Sequence, residues 1–278
     1  VDEARARITE GVGVAPGELR YVVFPERTGV GEVVRDMENH PAIIGTSDEG
    51  ARETMEEVFA STLRPRWYTL DEHSAMFVKL IDNSYRDAVF ALANYYVVLA
   101  DAYDLPVDGS RLVRIAEDGY KNDIYLPGPV GGKCLLKDSY FLTGEYTPGD
   151  FDLFGTVRAI HDEYYDVVVE HVEAADPDRV AVLGTGFKPN VGNEVASPGL
   201  MLRDRLVDDG IDVDCFDPHA GRGESLDETV ADADLTVLAM NHDYFADRAA
   251  EIVEANEGDG RILDLWGVLG DAPGVTEV

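Results

Sequence analysis

The sequence has few lysines, few cysteines and no long apolar run. Only five of its 23 basic residues are lysines, and only two of its 278 residues are cysteines. Cys134 and Cys215 form neither a disulfide framework nor the spacing of a metal site, so we expect no bound metal and a reducing, cytoplasmic location. No apolar run approaches the length of a membrane span, and this excludes a membrane-embedded class.

Positive charge is also scarce relative to negative charge. The chain has 55 acidic against 23 basic residues, a formal net charge of −32. Such a surface repels nucleic acid and anionic membranes, so we exclude both as partners. The acidic residues are spread along the chain, which is typical of a halophilic protein whose self-repulsion is screened at high salt.

The periodicity divides the chain into three regions, and we predict domains at residues 1–66, 67–176 and 177–278. The first region predicts only part of a βα domain, and the chain begins with Val1 rather than Met, so we expect a fragment of a longer polypeptide. Its predicted elements are a helix over residues 2–11, strands Leu19–Phe24 and Ala42–Gly45, and a helix Ser47–Ser61.

The middle region predicts a long helix from Asp71 to Tyr103, because it lacks glycine and proline for over thirty residues. Its second half is apolar around much of its circumference, which favours burial in a homodimer interface. Further helices are predicted over Val107–Asp118 and Phe151–Ala175.

The last region alternates strands and helices, which predicts a doubly wound, parallel, Rossmann-like sheet and an α/β fold class. The predicted strands are Val180–Leu183, Ile211–Phe216, Leu235–Met240 and Arg261–Leu265. The predicted helices are Pro198–Asp209, Leu226–Ala231 and Tyr244–Ala255. The turn Gly184-Thr185-Gly186 follows the first strand, but Pro189 stands where a dinucleotide fingerprint has its third glycine. We therefore expect no ordinary NAD site in this domain.

The segment Leu126–Leu142, here called the cysteine loop, is the strongest candidate for a site. Cys134 follows a Pro- and Gly-rich turn, and three of the five lysines fall within seventeen residues around it. Cationic neighbours and a helix start would favour the reactive thiolate and an anion-binding pocket. The alternative is an ordinary loop in which the cysteine is a small buried hydrophobe.

Two further sets of residues have open interpretations. Glu26 follows a predicted strand at the edge where open α/β sheets bind ligands, or it is a solvated loop carboxylate. Lys79 and Asn83 share one helix face, either as a site or as groups directed to water.

Motifs at four separate places resemble the nucleotide-sugar 6-dehydrogenases, which act on UDP-glucose, GDP-mannose and UDP-N-acetylmannosamine. The motifs are Pro25-Glu26-Arg27, Lys79-Leu80-Ile81-Asp82-Asn83, Gly131-Gly132-Lys133-Cys134 with Lys137-Asp138, and Phe187-Lys188-Pro189-Asn190 with Ser197-Pro198. They stand in family order over nearly the whole chain, and the cysteine loop is most similar to the N-acetylhexosamine branch.

The resemblance implies an NAD-dependent, four-electron oxidation of the sugar C6 alcohol to a carboxylate, and a role in polysaccharide biosynthesis. Cys134 would be the nucleophile that captures the aldehyde as a thiohemiacetal, which is then oxidised to a thioester. Lys79 and Asn83 would stabilise the oxyanion, Asp138 would help take the alcohol proton, and Glu26 would serve in thioester hydrolysis. Lys137 is the implied cofactor-binding residue. The implied substrate-binding residues are Lys188, Gly131, Gly132, Lys121 and Arg27.

Three departures from the family pattern bear on activity. Most of the amino-terminal NAD-binding domain is missing before Pro25, Val195 stands where an arginine is common, and Met76 replaces a common glutamate. We therefore expect this chain to be inactive alone. The alternatives are a non-catalytic nucleotide-sugar-binding or dimerisation remnant and, from Lys79 and Asn83 alone, a relative of the β-hydroxyacid dehydrogenases.

Overall fold

The structure, a computed structural model, describes residues 1–15, 18–60, 66–118, 123–143, 151–256 and 261–278. Its contacts group into two units, Val1–Asn83 and Ser84–Val278. The three domains expected from the sequence, with boundaries after residues 66 and 176, stay a prediction.

The first unit is a small α/β unit with a two-stranded parallel sheet. Its elements are α1 (Asp2–Val12), α2 (Val33–Asn39), β1 (Ala42–Gly45), α3 (Glu49–Ala60), β2 (Trp67–Leu70) and the start of α4 (Glu72–Ala102). Strand β1 pairs in parallel with β2, and Ala42, Ile44 and Phe59 form a small apolar core. The predicted β1 and α3 are present, and α2 and β2 were not predicted.

The predicted strand Leu19–Phe24 is wrong. Only Val23 pairs, through an antiparallel bridge in which it and Gly45 exchange two hydrogen bonds of 2.8 Å. The carbonyl of Tyr21 accepts instead from the Thr46 hydroxyl at 2.8 Å. Pairing cannot continue past Pro25, because proline has no backbone N–H to donate.

The second unit begins with helices that match the predictions within one or two residues at most ends. These are the remainder of α4, then α5 (Gly109–Glu117), α6 (Asp138–Thr143) and α7 (Leu153–Ala174). A helix start was expected near Cys134 without bounds, and α6 is the helix that begins there. Nowhere in the part of the chain that the structure describes is a helix both long and apolar enough to cross a membrane.

The sheet of the second unit has five parallel strands in the order β4-β3-β5-β6-β7. The strands are β3 (Arg179–Leu183), β4 (Asp212–Phe216), β5 (Leu235–Leu238), β6 (Arg261–Asp264) and β7 (Val275–Thr276), and the helices are α8 (Pro198–Asp208), α9 (Leu226–Val230), α10 (Asp243–Ala246) and α11 (Ala249–Ala255).

Alternate side chains of the strands pack on opposite faces, as the period of a strand requires. Val180 and Val182 lie in one apolar cluster with residues of α7 and α8. Ala181 and Leu183 lie in another with residues of α9, α10 and α11. Helices thus cover both faces, and the α/β, doubly wound fold class is confirmed.

One predicted helix, Tyr244–Ala255, is wrong as a single element. It is divided into α10 and α11 at Arg248, which leaves helical geometry with φ of −115°. The Arg248 guanidinium lies 3.9 Å over the Tyr244 ring, so this residue is held by a stacking contact at the break.

Candidate functional site

The first part of the cysteine loop is buried and bound to helix α4. Residues 127–130 are buried although they lie outside helices and strands. The Asn94 side chain satisfies both backbone groups of Gly128: its Oδ1 accepts from the Gly128 N–H at 2.9 Å, and its Nδ2 donates to the Gly128 carbonyl at 3.0 Å. Buried backbone groups need such partners, so Asn94 makes this irregular segment possible.

The glycines of this loop are required by close approach to the loops at the carboxyl edge of the sheet. A Cβ at Gly128 would lie 2.6 Å from the Trp266 ring, and one at Gly131 would overlap the carbonyl oxygen of Ala196. Gly132 has φ of +89°, and its N–H donates to the same Ala196 carbonyl at 2.7 Å.

Gly132 also packs against the Phe187 ring, which would lie 3.0 Å from an added Cβ. The cysteine loop is therefore adjacent to the segment after β3, here called the FKPN loop (Gly184–Asn193). Two motifs more than fifty residues apart in the sequence meet in one unit.

The reactive part of the cysteine loop is exposed. Cys134 is a free, exposed thiol in a turn, and its carbonyl accepts from the N–H groups of Lys137 at 3.2 Å and Asp138 at 2.9 Å. The expected helix start lies four residues beyond Cys134, at Asp138. The positive charge near the thiol in the sequence therefore comes from lysines rather than from a helix beginning at Cys134.

Lys137 and Asp138 form an ion pair beside this turn. The Lys137 Nζ lies 2.7 Å from Asp138 Oδ1 and 5.0 Å from the centre of the Phe141 ring. Asp138 is buried, whereas Lys137 is about half exposed. The Asp138 carboxylate is thus shielded from bulk water, and Lys137 is accessible to an anion.

The FKPN loop is organised by Asp217, which follows β4 and is fully buried. One carboxylate oxygen accepts from the N–H groups of Thr185 and Gly186, both at 2.7 Å, and from His242 Nε2 at 3.0 Å. The other accepts from two N–H groups of its own turn at 2.8 and 2.9 Å. Burial alone would raise the pKa of Asp217, but these hydrogen bonds, that of His242 foremost, lower it well below its usual range.

His242 extends this support to the tip of the loop. Its Nδ1 accepts from the Asn190 N–H at 2.7 Å, so Nε2 must carry the proton directed at Asp217. Asn190, in the left-handed region with φ of +59°, exchanges hydrogen bonds of 2.9 and 3.0 Å with Asp243. Lys188 thus lies in a loop whose two ends are fixed.

A second ion pair closes the same loop. Glu194 accepts from the Thr185 hydroxyl at 2.6 Å and from the Arg222 guanidinium at 2.6 and 3.0 Å. The bond to Arg222 holds the pKa of Glu194 below its usual range. Val195, which stands at the expected arginine position, is exposed, so Arg222 supplies the cation for this loop.

The turn after β3 does not fit a dinucleotide. In a dinucleotide site, the free N–H groups of this turn would bind the pyrophosphate. Here the N–H groups of Thr185 and Gly186 already donate to Asp217. Within the described ranges, no group of three or more His, Cys, Asp or Glu side chains is placed to hold a metal ion either.

The remaining predicted residues lie in the first unit. Glu26 is exposed, and its Oε1 accepts from the N–H groups of Arg27 at 2.7 Å and Thr28 at 2.8 Å. The Arg27 Nε lies 2.5 Å from Asp82, the residue before Asn83 on α4. Asn83 is buried and Lys79 is partly buried. The segment Pro25-Glu26-Arg27 and the helix motif are thus joined by an ion pair.

The predicted site residues therefore fall into two sets. Cys134, Lys137, Asp138 and Lys188 belong to the second unit with Gly131 and Gly132, whereas Glu26, Arg27, Lys79 and Asn83 belong to the first. The union of the two sets in one site stays a prediction, as do the individual roles. Lys121 lies outside the described residues.

Sequence reasoning missed the residues that support the two loops. Asn94, His242 and the role of Asp217 came only from the structure. Two signals were available: a single asparagine in the apolar half of α4, and the run Asp217-Pro218-His219 after a strand.

Comparison with known proteins supports the resemblance. Residues 181–271 match the UDP-binding domain of the UDP-glucose/GDP-mannose dehydrogenase family. A UDP-N-acetyl-D-mannosamine dehydrogenase of Methanocaldococcus jannaschii is 30% identical over 229 residues, which cover 80% of this chain and 53% of the relative. The enzyme of the same name from Pyrococcus horikoshii is 29% identical over 98% of this chain and 67% of its own length.

A solved structure agrees with these sequence matches. The UDP-D-ManNAc dehydrogenase of Pyrococcus horikoshii aligns with a TM-score of 0.83 and 26% identity, over 100% of this chain and 69% of that one. The predicted resemblance to nucleotide-sugar dehydrogenases is confirmed. The chain spans about half the length of several curated relatives that it matches.

Proposed function

We propose that this chain, a relative of the UDP-glucose/GDP-mannose dehydrogenase family, is the nucleotide-sugar-binding part of a nucleotide-sugar 6-dehydrogenase. The substrate would be a UDP-N-acetylhexosamine or UDP-glucose. The observation that carries the proposal is the contact of Gly132 with Ala196 and Phe187, which joins the cysteine loop to the FKPN loop. This contact lies at the edge of a doubly wound sheet where ligands bind.

In the proposed chemistry, two molecules of NAD would each accept two electrons, the first from the C6 alcohol as it becomes an aldehyde and the second from the thiohemiacetal as it becomes a thioester. The turn after β3 offers NAD no free N–H groups, because those of Thr185 and Gly186 donate to Asp217. The Cys134 thiolate adds to the C6 aldehyde to give a thiohemiacetal. After the second oxidation, water attacks the resulting thioester, which releases the carboxylate and returns the thiol.

The other proposed roles follow the chemistry of the side chains. Asp138, buried beside Lys137, would take the alcohol proton, and Lys137 would contribute to cofactor binding. Lys79 and Asn83 would stabilise the oxyanion, and Glu26 would assist thioester hydrolysis. Lys188, with Gly131, Gly132, Lys121 and Arg27, would bind the nucleotide sugar.

Calorimetric titration of the 278-residue chain with UDP-sugars and GDP-sugars at high salt tests the binding role. A UDP-sugar should bind, and Lys188→Ala should weaken its affinity about tenfold through loss of a charge-assisted phosphate contact. Arg203→Ala, which removes a partly buried cation paired with Asp204 on α8, is the control and should leave the affinity unchanged. Failure of every nucleotide sugar to bind would contradict the proposal.

The full-length gene product tests the oxidation. With NAD and the UDP-sugar that binds, it should form two NADH per sugar, and Cys134→Ala should abolish the four-electron product. One NADH per substrate with Cys134 dispensable would contradict the proposed chemistry and favour the β-hydroxyacid dehydrogenase alternative.

A second candidate function is a nucleotide-sugar-binding module without turnover. It is compatible with one observation: Asp217 occupies the N–H groups of the turn after β3, so turnover would depend on a cofactor site elsewhere in the full-length product. Binding of the UDP-sugar with no NADH from the full-length product would support this candidate.

We also propose that the protein forms a cytoplasmic homodimer through α4. Tyr85, Leu92, Tyr96 and Tyr103 are exposed and repeat at intervals of seven, four and seven residues, so they form one stripe along the helix. A second copy would bury this stripe. Tyr96→Asp should convert a dimer to a monomer in analytical ultracentrifugation, and Val207→Asp, which alters an exposed apolar residue on α8, should not.

A further inference from the structure

We propose that Asn94 is a positioning residue that holds the reactive turn of Cys134 through a buried polar chain. The chain consists of Asn94, His161, Asp87, Arg158 and Ser139. The reactive role of the turn rests on the proposed function, whereas the contacts described below do not depend on it.

The first link is the Asn94 amide, which is fully buried on α4. Its oxygen and nitrogen both bind Gly128, and its Nδ2 also lies 3.2 Å from His161 Nδ1. Both hydrogens of the amide nitrogen and one lone pair of its oxygen are therefore in use. An amide in this place is costly unless it is fully bonded, so its orientation is fixed.

The second link is His161, which fixes that orientation. Because its Nδ1 accepts from Asn94, its proton must lie on Nε2. Nε2 lies 3.2 Å from the carbonyl oxygen of Asp87 and 3.3 Å from the carboxylate of the same residue. His161 is thus a neutral donor between the amide and the acid.

The third link returns to the cysteine loop on the other side of Cys134. The Asp87 carboxylate forms an ion pair with Arg158 and accepts from the Ser139 hydroxyl at 3.4 Å. Gly128 lies six residues before Cys134, and Ser139 lies five residues after it. The buried chain therefore binds the loop on both sides of Cys134, and the turn between these two points carries the exposed thiol.

In this arrangement the supporting side chains are buried, and the Cys134 thiol that they position is accessible. A reacting group must be held within fractions of an ångström by neighbours that are themselves fixed. The buried chain supplies such neighbours without touching the thiol, so Asn94 acts through the backbone of the loop.

Asn94→Asp tests the inference in a Cys215→Ala background, where Cys134 is the one remaining thiol. The substitution keeps the shape but removes the donor to both Gly128 and His161. Asn256→Asp is the matched control, because Asn256 is also buried and also bonds through both ends of its amide, to Thr236 and Ile252. The readouts are the rate of Cys134 alkylation by iodoacetamide over a range of pH and the affinity for the UDP-sugar.

Both substitutions should lower the melting temperature, but only Asn94→Asp should alter the alkylation profile, by at least fivefold in rate, and weaken UDP-sugar binding. If Asn94→Asp prevents folding, His161→Gln provides the milder break and should shift the profile in the same direction. An alkylation profile of either folded variant within twofold of that of Asn256→Asp would overturn the inference. Absence of UDP-sugar binding by the unmutated chain would instead contradict the proposed function, and the alkylation profile would still decide the role of Asn94.

Discussion

The cysteine loop and the FKPN loop meet at Gly132 and Phe187, but they are held by different forces. The cysteine loop is fixed by glycines that fit against Trp266 and Ala196 and by the neutral amide of Asn94. The FKPN loop is fixed by the buried charge of Asp217, which binds N–H groups from three segments. The cysteine loop therefore depends mainly on close fit and a neutral amide, with one paired carboxylate, Asp87, at Ser139, whereas the FKPN loop depends on the charge of Asp217.

This difference has a physical reason. A carboxylate beside a thiol opposes thiolate formation unless a cation offsets its charge, and the two carboxylates of this region, Asp138 and Asp87, are paired with Lys137 and Arg158. A turn with several inward N–H groups instead needs an acceptor, and a carboxylate supplies up to four lone-pair sites. The two loops show both ways of fixing irregular backbone.

The largest effect should come from Gly131→Ala, which breaks the fit of the cysteine loop. The added methyl would overlap the Ala196 carbonyl oxygen and lie 2.9 Å from the Pro198 ring. We expect the free energy of unfolding in urea to fall by about 3 kcal/mol, because backbone cannot yield as a side chain can.

Gly210→Ala is the control for this prediction. Gly210 has φ of +90° and nothing within 4 Å of an added Cβ, so its substitution tests backbone strain alone, at about 1–2 kcal/mol. A smaller loss for Gly131→Ala than for Gly210→Ala would show that the fit of the cysteine loop is not tight.

A somewhat smaller effect is expected from Asp217→Asn, which breaks the electrostatic support of the FKPN loop. The amide cannot accept at both ends, so at least one of the sets of N–H groups loses its acceptor. We expect the free energy of unfolding at pH 7 to fall by about 2 kcal/mol. Amide hydrogen exchange should accelerate at Thr185 and Gly186 and stay slow at Gly128. The reverse pattern would contradict the proposal that Asp217 supports the FKPN loop and not the cysteine loop.

The pH dependence of the free energy of unfolding should distinguish the two loops by a smaller amount. The folded pKa of Asp217 is lowered, so its contribution to stability is complete above the unfolded pKa of about 3.9 and is lost as the pH falls towards the folded value. The stability difference between the unmutated chain and Asp217→Asn should therefore shrink below about pH 4. A difference that stays constant from pH 7 to pH 3 would exclude this role for the charge.

Salt concentration should distinguish the two loops least, because screening acts on the charges of the whole protein surface. With a net charge of −32, we expect the chain to lose structure at low ionic strength and to regain it as salt screens the repulsion. Circular dichroism in dilute buffer tests this expectation, and a fully folded spectrum there would contradict it.

The sequence predicted much of the fold because the strongest signals are local. Alternation of apolar strands with helices located β3 to β6, and a long run without glycine or proline indicated α4, whose predicted ends differ from the observed ones by one residue. The two wrong elements had local causes too: the pairing of Val23 cannot extend past Pro25, the Tyr21 carbonyl is occupied by the Thr46 hydroxyl, and helical geometry breaks at Arg248.

The candidate site was predictable only in part. Cys134 and Lys188 were found because their motifs are contiguous in the sequence. Asn94 and Asp217 were not assigned their roles, because each acts through hydrogen bonds to backbone groups more than thirty residues away. No local pattern records which buried amide or carboxylate will meet which loop.

If the two loops form one nucleotide-sugar site, as we propose, a bound ligand must protect Cys134 from alkylation. In the Cys215→Ala background, saturating UDP-sugar should slow the alkylation of Cys134 at least tenfold. Lys188→Ala should require about ten times more ligand for the same protection. A UDP-sugar that binds tightly while Cys134 reacts at its unliganded rate would contradict the account.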